Sequence, residues 1–490
     1  MCAQRTSNSY RANNNYFFSL IGLLVCLGAI ASIAIIILNL VDLGISLSLK
    51  PVLLLLLVDA GLIALPFYLL GTGKVDYSSL MRICCIGIAG IMIFLNLFVS
   101  SYLSATTEFF DSMGESSQGY IEYSVVAQRA AGIELPTKKQ VRAGIQSTDI
   151  CKKEAEQETK KLVAANFEEY ENLADMIGAT EDKALDIAVV QSSMLTAYKE
   201  YFPDSYKKLS VLSTFSAGSE KAKAQASNPK IDISKPFIIY VSGIDGYGPI
   251  DDSSGRSDAN MLILIDPERY KILLVNTPRD YYVQLHGTTG YRDKLAHAAV
   301  YGIDMSEQTL QDLYDININY HVLIDFDTVI RLIDAMGGVN VDNPVGFSIW
   351  GNYYREGTLW LMGDYALMYM RARKGLENGD NDRGENQQRV IEALVKRMTK
   401  PEVVILYKDV LTAVTGYVST NIPPKLITQM FSRQISIGGD WTIEKIHVTG
   451  RNSQQPTYSM GEQELSVIIP DEDSLAEARE AIRDFMKGGG

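Results

Sequence analysis

Three long apolar runs occupy the N-terminal fifth of the chain, and short apolar stretches alternating with amphipathic ones fill the rest. Tyr16 to Leu40 carries no charge. At a helical rise of ~1.5 Å per residue it is long enough to cross a ~30 Å hydrocarbon layer, and it is too long for a signal-peptide core. A second run, Val52 to Leu70, is interrupted only by Asp59, and a third, Ile83 to Leu103, has no charge. The pattern predicts three membrane helices at about 16–40, 51–70 and 83–103, forming an anchor over 1–104. Arg5 and Arg11 precede the first run, and Lys74 and Arg82 separate the second from the third. Glu108, Asp111 and Glu115 follow the third. Because basic loops stay on the cytoplasmic side, this asymmetry predicts a multi-pass protein with a cytoplasmic N-terminus and an extracytoplasmic C-terminal mass. Asp59 has no visible partner in the other runs, and interhelical hydrogen bonding is as good an account of it as transport. Gly71-Thr-Gly-Lys74 lacks the first glycine of a phosphate loop and reads as a turn.

After Ser104 the pattern becomes charged and alanine-rich. It predicts a strand at Tyr120 to Ala127, a long helix from Asp149 to about Ile177, a helix from Glu181 to Tyr201 and a linker from Ser216 to Pro229. Together these suggest a small accessory α/β domain over 105–232, with no recognisable chemistry. Beyond it, over 233–490, the strand patterns are Phe237 to Ser242, Met261 to Ile265, Lys271 to Val275, His321 to Ile324 and Thr442 to Val448. Helical patterns separate them at Ser306 to Tyr314, Asp327 to Met336, Asp364 to Ala372, Glu385 to Met398 and Ser474 to Met486. The fold class is α/β, a mixed central sheet flanked by helices.

The formal net charge of -13 argues against a nucleic-acid partner, whose binding needs a basic face. Four of the five cysteines lie before or within the apolar runs, leaving Cys151 without a disulfide partner, as befits a Gram-positive cell surface. His286, His297, His321 and His447 have no zinc-site spacing.

Candidate chemistry collects near strand ends. Gly255-Arg-Ser-Asp258 precedes one strand and Thr277-Pro-Arg-Asp280 follows the next. A hairpin around Asp266 and Pro267 would bring both clusters to one edge of the sheet. Arg371 and Arg373 close an apolar helix, and Asp380, Asp382, Arg383, Glu385, Gln387, Gln388 and Arg389 open the next. Converging arginines suit phosphate oxygens, and carboxylates supply oxygen ligands to a divalent cation. Any one member could equally be an ordinary surface ion pair, and Arg371 and Arg373 also suit a helix C-terminus. Taken physically, the cluster indicates an anionic ligand with a metal.

The ordered series Gly243 to Asp245, Gly255 to Asp258, Pro278 to Asp280, Lys294-Leu-Ala-His-Ala298, Met336-Gly-Gly338, Gly363 to Arg373 and Asp380 to Gln388 closely resembles the LytR-CpsA-Psr family of bacterial cell-wall glycopolymer ligases. Three spans followed by an outer domain resemble its CpsA branch, associated with capsular polysaccharide. The resemblance implies transfer of a glycan from a polyprenyl pyrophosphate carrier to a peptidoglycan hydroxyl, with membrane lipid as a further partner. It implies that Asp245 and Asp258 hold Mg²⁺, with Mn²⁺ the alternative cation; Asp251 and Asp252 compete for the first position. Arg256, Arg279, Arg371, Arg373, Arg383 and Gln387 would bind the pyrophosphate. Arg279, Arg371, Arg373 and Asp380 would be catalytic, with either Asp380 or a metal-bound carboxylate assisting acceptor deprotonation. Asn386 and Gly302-Ile-Asp304 depart from common family patterns. Val329, Ile330, Ile333, Leu394 and Val395 could line a lipid groove or pack a core. A lipid pyrophosphate phosphohydrolase and a non-catalytic membrane regulator sensing cell-wall lipid are the alternative functions. A transcription factor is disfavoured by topology and charge.

Overall fold

The computed structural model describes residues 28, 31–36, 38, 79–116, 120–147, 149, 151–218, 234–244, 255–372, 380–398, 400, 403–437 and 441–487. The chain forms two compact units, Met1–Asp111 and Ser112–Gly490. One helix runs over Ser79–Ser116, most of it in the first unit, containing the third predicted span and extending it at both ends. Its segment Gly90–Phe110 is, among the described residues, the one helix long and apolar enough to cross a membrane. Asn96 donates to Ser32 Oγ at 3.1 Å, so the described helical residues of the first predicted span touch this helix. The rest of that span, the second span and Asp59 lie outside the described residues.

The second unit begins with a five-stranded sheet built from β1 (Tyr120–Gln128), β2 (Thr137–Gln146), β3 (Val163–Tyr170), β4 (Ile187–Gln191) and β5 (Leu209–Gly218), in the order β3-β2-β4-β1-β5. Two expected helices are corrected here. The stretch expected as one helix from Asp149 divides into a helix over Lys152–Leu162, strand β3 and a helix over Leu173–Glu181. The stretch expected from Glu181 to Tyr201 is β4 followed by a helix over Ser192–Tyr201. Ile-Ala-Val-Val-Gln is buried at every position of β4, and β-branched residues between two neighbours suit a central strand better than an amphipathic helix. Ser216 to Gly218 belong to β5 rather than to a linker; residues 219–233 lie outside the described residues.

The larger sheet contains β6 (Phe237–Ile244), β7 (Ser257–Asp266) and β8 (Lys271–Thr277). A two-stranded pair follows, β9 (Tyr282–Val283) with β10 (Asp293–Lys294), and then β11 (Tyr320–Ile324). Four short strands form two further pairs, β12 (Val339–Asn343) with β15 (Gly357–Leu361) and β13 (Phe347–Ile349) with β14 (Asn352–Tyr354). The remaining strands are β16 (Val418–Thr420), β17 (Thr442–His447), β18 (Gly450–Thr457) and β19 (Gly461–Pro470). The sheet order is β16-β11-β6-β7-β8-β17, with β6-β7 and β7-β8 antiparallel and β6-β11 and β8-β17 parallel. The hairpin around Asp266 and Pro267 is present: Asp266 Oδ1 accepts from the N–H groups of Glu268 and Arg269, closing the turn between β7 and β8.

Alternation along the strands gives the sheet two different faces. Ile238, Tyr240, Leu262, Leu264, Leu273 and Val275 pack into one large core. That core also takes Leu173, Met176, Leu195 and Tyr198 from the first α/β region, so the two regions of this unit share apolar packing. The opposite face, with Val241, Met261, Ile272 and Leu274, receives Ile391 and Val395 of the helix Asp380–Met398.

Candidate functional site

The strand directions explain why separate motifs meet. Ile244 at the end of β6 pairs with Ser257 at the start of β7, and Asn260 pairs with Thr277 at the end of β8. The parallel β11 ends beside β6, with Ile324 opposite Gly243. Residues following β6, β8 and β11 and residues preceding β7 therefore share one end of the sheet. Gly243 allows the close strand approach there, since a Cβ would lie 2.9 Å from Ala259 Cβ.

At this end Arg279 forms an ion pair with Asp258, both side chains mostly buried. Arg279 Nε is 3.5 Å from Asp280 Oδ1, and Lys294 Nζ is 3.2 Å from the same oxygen. Burial pushes the Asp280 carboxyl upward, but Arg279, Lys294 and Arg383 outweigh that and hold it below the ordinary aspartate range. A cationic cluster around a depressed carboxylate retains net positive charge at neutral pH, which suits a phosphate ligand.

The helix Asp380–Met398 closes the site from above the strand ends. Gly384 makes this approach sterically feasible: a Cβ would fall 2.4 Å from Asn276 Nδ2 and 2.5 Å from His447 Cε1. The neighbours of that glycine are thereby brought to the site. Arg383 is buried, Gln387 Nε2 lies 3.5 Å from the Asp258 carbonyl, and Gln388 donates to the Ile446 carbonyl at 2.5 Å. Arg371 follows the helix Gly363–Met370 and stacks its guanidinium on the Phe326 ring, with Cζ 3.6 Å from the centroid. Phe326 opens the helix after β11, which puts Arg371 at the same end of the sheet. The capping box of Asp325 and Thr328 fixes where that helix begins.

Of the residues expected from sequence, Asp258, Arg279, Arg383, Gln387, Arg256 and Arg371 are thus at one sheet end, Arg256 directly preceding β7. Asp245, Asp251, Asp252 and Arg373 lie outside the described residues, as does the side chain of Asp380, which begins its helix. Sequence reasoning missed the supporting roles of Lys294, Phe326 and Gly384. Lys294 stood inside a recognised motif, and its burial beside Asp280 follows from the β9-β10 pairing, which composition does not reveal. Of the family departures, Asn386 is buried and donates to the Tyr369 carbonyl, while Gly302 adopts φ +106 to start the helix Ile303–Tyr314. The row read as either groove lining or core mostly packs a core. Val329, Ile333 and Leu394 belong to one buried core, Val395 to the sheet face, and Ile330 to a hollow against Asp409 and Thr412.

The sequence profile of the LytR_cpsA_psr family matches residues 206–481, more than half of the chain. The chain belongs to this family. It is 35% identical over 206 residues to a protein of Bacillus mycoides named polyisoprenyl-teichoic acid--peptidoglycan teichoic acid transferase TagU, covering 42% of this chain and 66% of that one. A protein of the same name from Halalkalibacterium halodurans is 32% identical over 237 residues, covering 47% of this chain and 76% of the relative. This chain therefore spans about two thirds to three quarters of the length of these relatives. The crystal structure of B. subtilis TagV is similar at 28% identity, covering 52% of this chain and 98% of the other, with a TM-score of 0.44.

The ion cluster has a testable acid limit. A carboxylate whose folded pKa is depressed contributes stability that is complete above its unfolded value, about 4, and is lost as pH falls through the folded value. Melting curves should show Asp280→Asn losing part of the wild-type acid slope below about pH 4. Identical slopes in the two proteins would contradict the depressed carboxylate.

Proposed function

We propose that this protein is a membrane-anchored phosphotransferase that moves a glycan from a polyprenyl pyrophosphate to a peptidoglycan hydroxyl. The observation that carries this reading is the convergence of Arg279, Arg371 and Arg383 at one sheet end beside Asp258, on a chain of this family. In the reaction the acceptor oxygen attacks the phosphorus bonded to the sugar. The bridging P–O bond breaks, leaving a sugar phosphodiester on the acceptor and polyprenyl phosphate as leaving group. The hydroxyl proton would pass to a carboxylate base, Asp380 or one of the aspartates that would hold the cation. Arginines fixed by packing before the substrate arrives stabilise charge on the transferred and leaving oxygens without reorganisation.

Asp245 and Asp258 would hold Mg²⁺, or Mn²⁺ in its place, and Arg373 would join the arginine set. Among the described residues no group of three or more metal-type side chains is assembled. The carboxylate of Asp258 fits the role in part: one oxygen carries the Arg279 contact, so the other would face the cation. When bound, the cation would supply Lewis-acid charge to the pyrophosphate oxygens.

The lipid carrier would lie on the second face of the large sheet. There Ile239, Ile263, Val322 and Ile324 are only partly buried, an apolar strip on the strands that Ile391 and Val395 of the helix Asp380–Met398 face from the other side. Ile263→Trp should narrow the strip, raising KM for a farnesyl-pyrophosphate-linked glycan about tenfold in the folded protein, beyond the ~1–3 kcal/mol of stability that overpacking costs. An unchanged KM would place the lipid elsewhere. Three spans with a cytoplasmic N-terminus would hold the site beside the outer leaflet, where such a substrate is presented. A capsular polysaccharide is the glycan we propose. Product analysis with purified full-length protein, lipid-linked glycan and peptidoglycan tests the function, because transfer yields covalent conjugate whereas hydrolysis yields free glycan phosphate.

A further inference from the structure

Among the described residues, Tyr201 carries the first α/β region to Lys294 beside the arginine site. Tyr201 ends the helix Ser192–Tyr201, and its ring centroid lies 5.2 Å from Lys294 Nζ and 5.7 Å from the His297 ring centroid. Its hydroxyl is 3.2 Å from His297 Nε2 and 3.5 Å from Lys294 Nζ. His297 and Asp293 are buried, and His297 Nδ1 is 2.6 Å from Asp293 Oδ1. His297 Nδ1 is also 3.0 Å from Ser459 Oγ, so the ring is held between Asp293 and Ser459 on one side and the tyrosine hydroxyl on the other, and the hydroxyl oxygen accepts from the lysine ammonium.

From there the path to the site is short. Lys294 has 6% side-chain exposure, and it pairs with Asp280, which in turn lies beside Arg279, the partner of Asp258. The backbone follows the same route. Leu295 N–H donates to the Tyr281 carbonyl at 2.9 Å, and Ala296 N–H donates to the Arg279 carbonyl at 2.8 Å. Moving the Lys294 segment therefore moves the Arg279 loop. A second contact from the first region converges on the same place. Leu173 N–H donates to the Ser459 carbonyl at 3.2 Å, and Ser459 N–H donates to Asp293 Oδ2 at 2.8 Å.

We propose that Tyr201 is a positioning residue, through which the first α/β region fixes Lys294 and so the Arg279 guanidinium in the geometry required for transfer. This rests on the phosphotransfer reading above. Its consequence is that the region without chemistry of its own sets the turnover rate of the site. A group aligned for developing charge acts mainly in the transition state, so misalignment lowers kcat more than it raises KM.

The experiment uses full-length protein in detergent, farnesyl-pyrophosphate-linked N-acetylglucosamine as donor probe and peptidoglycan fragments as acceptor. Tyr201→Ala should lower kcat by roughly tenfold with KM within about twofold, while Tyr201→Phe, which keeps the ring over Lys294, should recover to within about threefold of wild type. Tyr206→Ala serves as a control for packing alone, because Tyr206 borders the shared core without a contact to Lys294 in this network; its melting temperature should fall with kcat unchanged. Wild-type kinetics in Tyr201→Ala, or a loss of equal size in Tyr206→Ala, would overturn the proposal and leave the phosphotransfer reading standing. Absence of transfer by the wild-type protein would instead remove the reading on which it rests.

Discussion

Replacing Arg279 with alanine is expected to lower glycan transfer by about a thousandfold or more, on the scale of losing a preorganised charge at a reacting centre. Two carboxylates depend on this guanidinium. It pairs with Asp258, it lies 3.5 Å from Asp280, and through Asp280 it shares a counterion with Lys294. Removing it leaves two mostly buried carboxylates short of positive charge, which also costs stability. Arg279→Lys separates the two effects. The ammonium retains the charge but loses the planar fork that can address Asp258 and a phosphate oxygen together. The lysine variant should therefore fold with near wild-type circular dichroism and still transfer at least about a hundredfold more slowly. Substantial activity in both variants would remove Arg279 from the centre of the mechanism.

The second large effect is steric and lies in the helix Asp380–Met398. Gly384→Ala places a methyl group within 2.4 Å of Asn276 Nδ2 and 2.5 Å of His447 Cε1. These two atoms are not the loose ends of exposed side chains, for Asn276 Nδ2 and His447 Nδ1 are 2.9 Å apart and Asn276 is buried. Relief requires the helix Asp380–Met398 to lift from the ends of β8 and β17. Overpacking of this kind costs about 1–3 kcal/mol. Lifting the helix also draws Arg383 and Gln387 away from Asp258 and Asp280, so transfer should fall by at least about tenfold beyond the loss of folded protein. Thermal melting and transfer measured on the same preparation check both parts. A variant with unchanged melting temperature and rate would show that the helix approach is not constrained as described.

These two residues also mark how far the sequence could be read. Arg279 was legible because Pro-Arg-Asp followed an apolar strand, and a hairpin at Asp266 and Pro267 turned it toward Gly255 to Asp258; the register confirms that geometry. Gly384 was not legible. A glycine in the second turn of a polar helix reads as a weak helix former, and only the packing of helix on strand ends gives it a purpose. The same holds for Phe326, whose ring supports Arg371 although the two are distant in sequence.

The fold was unevenly legible for a related reason. Strands β6, β7, β8 and β11 carry apolar runs long enough to announce themselves. In the first region β3 reads Val-Ala-Ala-Asn-Phe-Glu-Glu-Tyr between two helices. Its glutamates and alanines suit a helix locally, and pairing with β2 overrides that preference. The value of the first region was also hidden, since Tyr201 gains significance only when it meets Lys294 and His297 across 93 and 96 positions of chain.

The central claim is that a lipid pyrophosphate is held at the sheet end and its sugar phosphate transferred to peptidoglycan. The most direct measurement is mass spectrometry of peptidoglycan fragments after incubation with full-length protein, a divalent cation and farnesyl-pyrophosphate-linked glycan. The predicted product is glycan joined to the fragment through a single phosphodiester, appearing with an equal amount of farnesyl phosphate and absent with Arg279→Ala. Farnesyl phosphate released together with free glycan phosphate, and no conjugate, would contradict the claim.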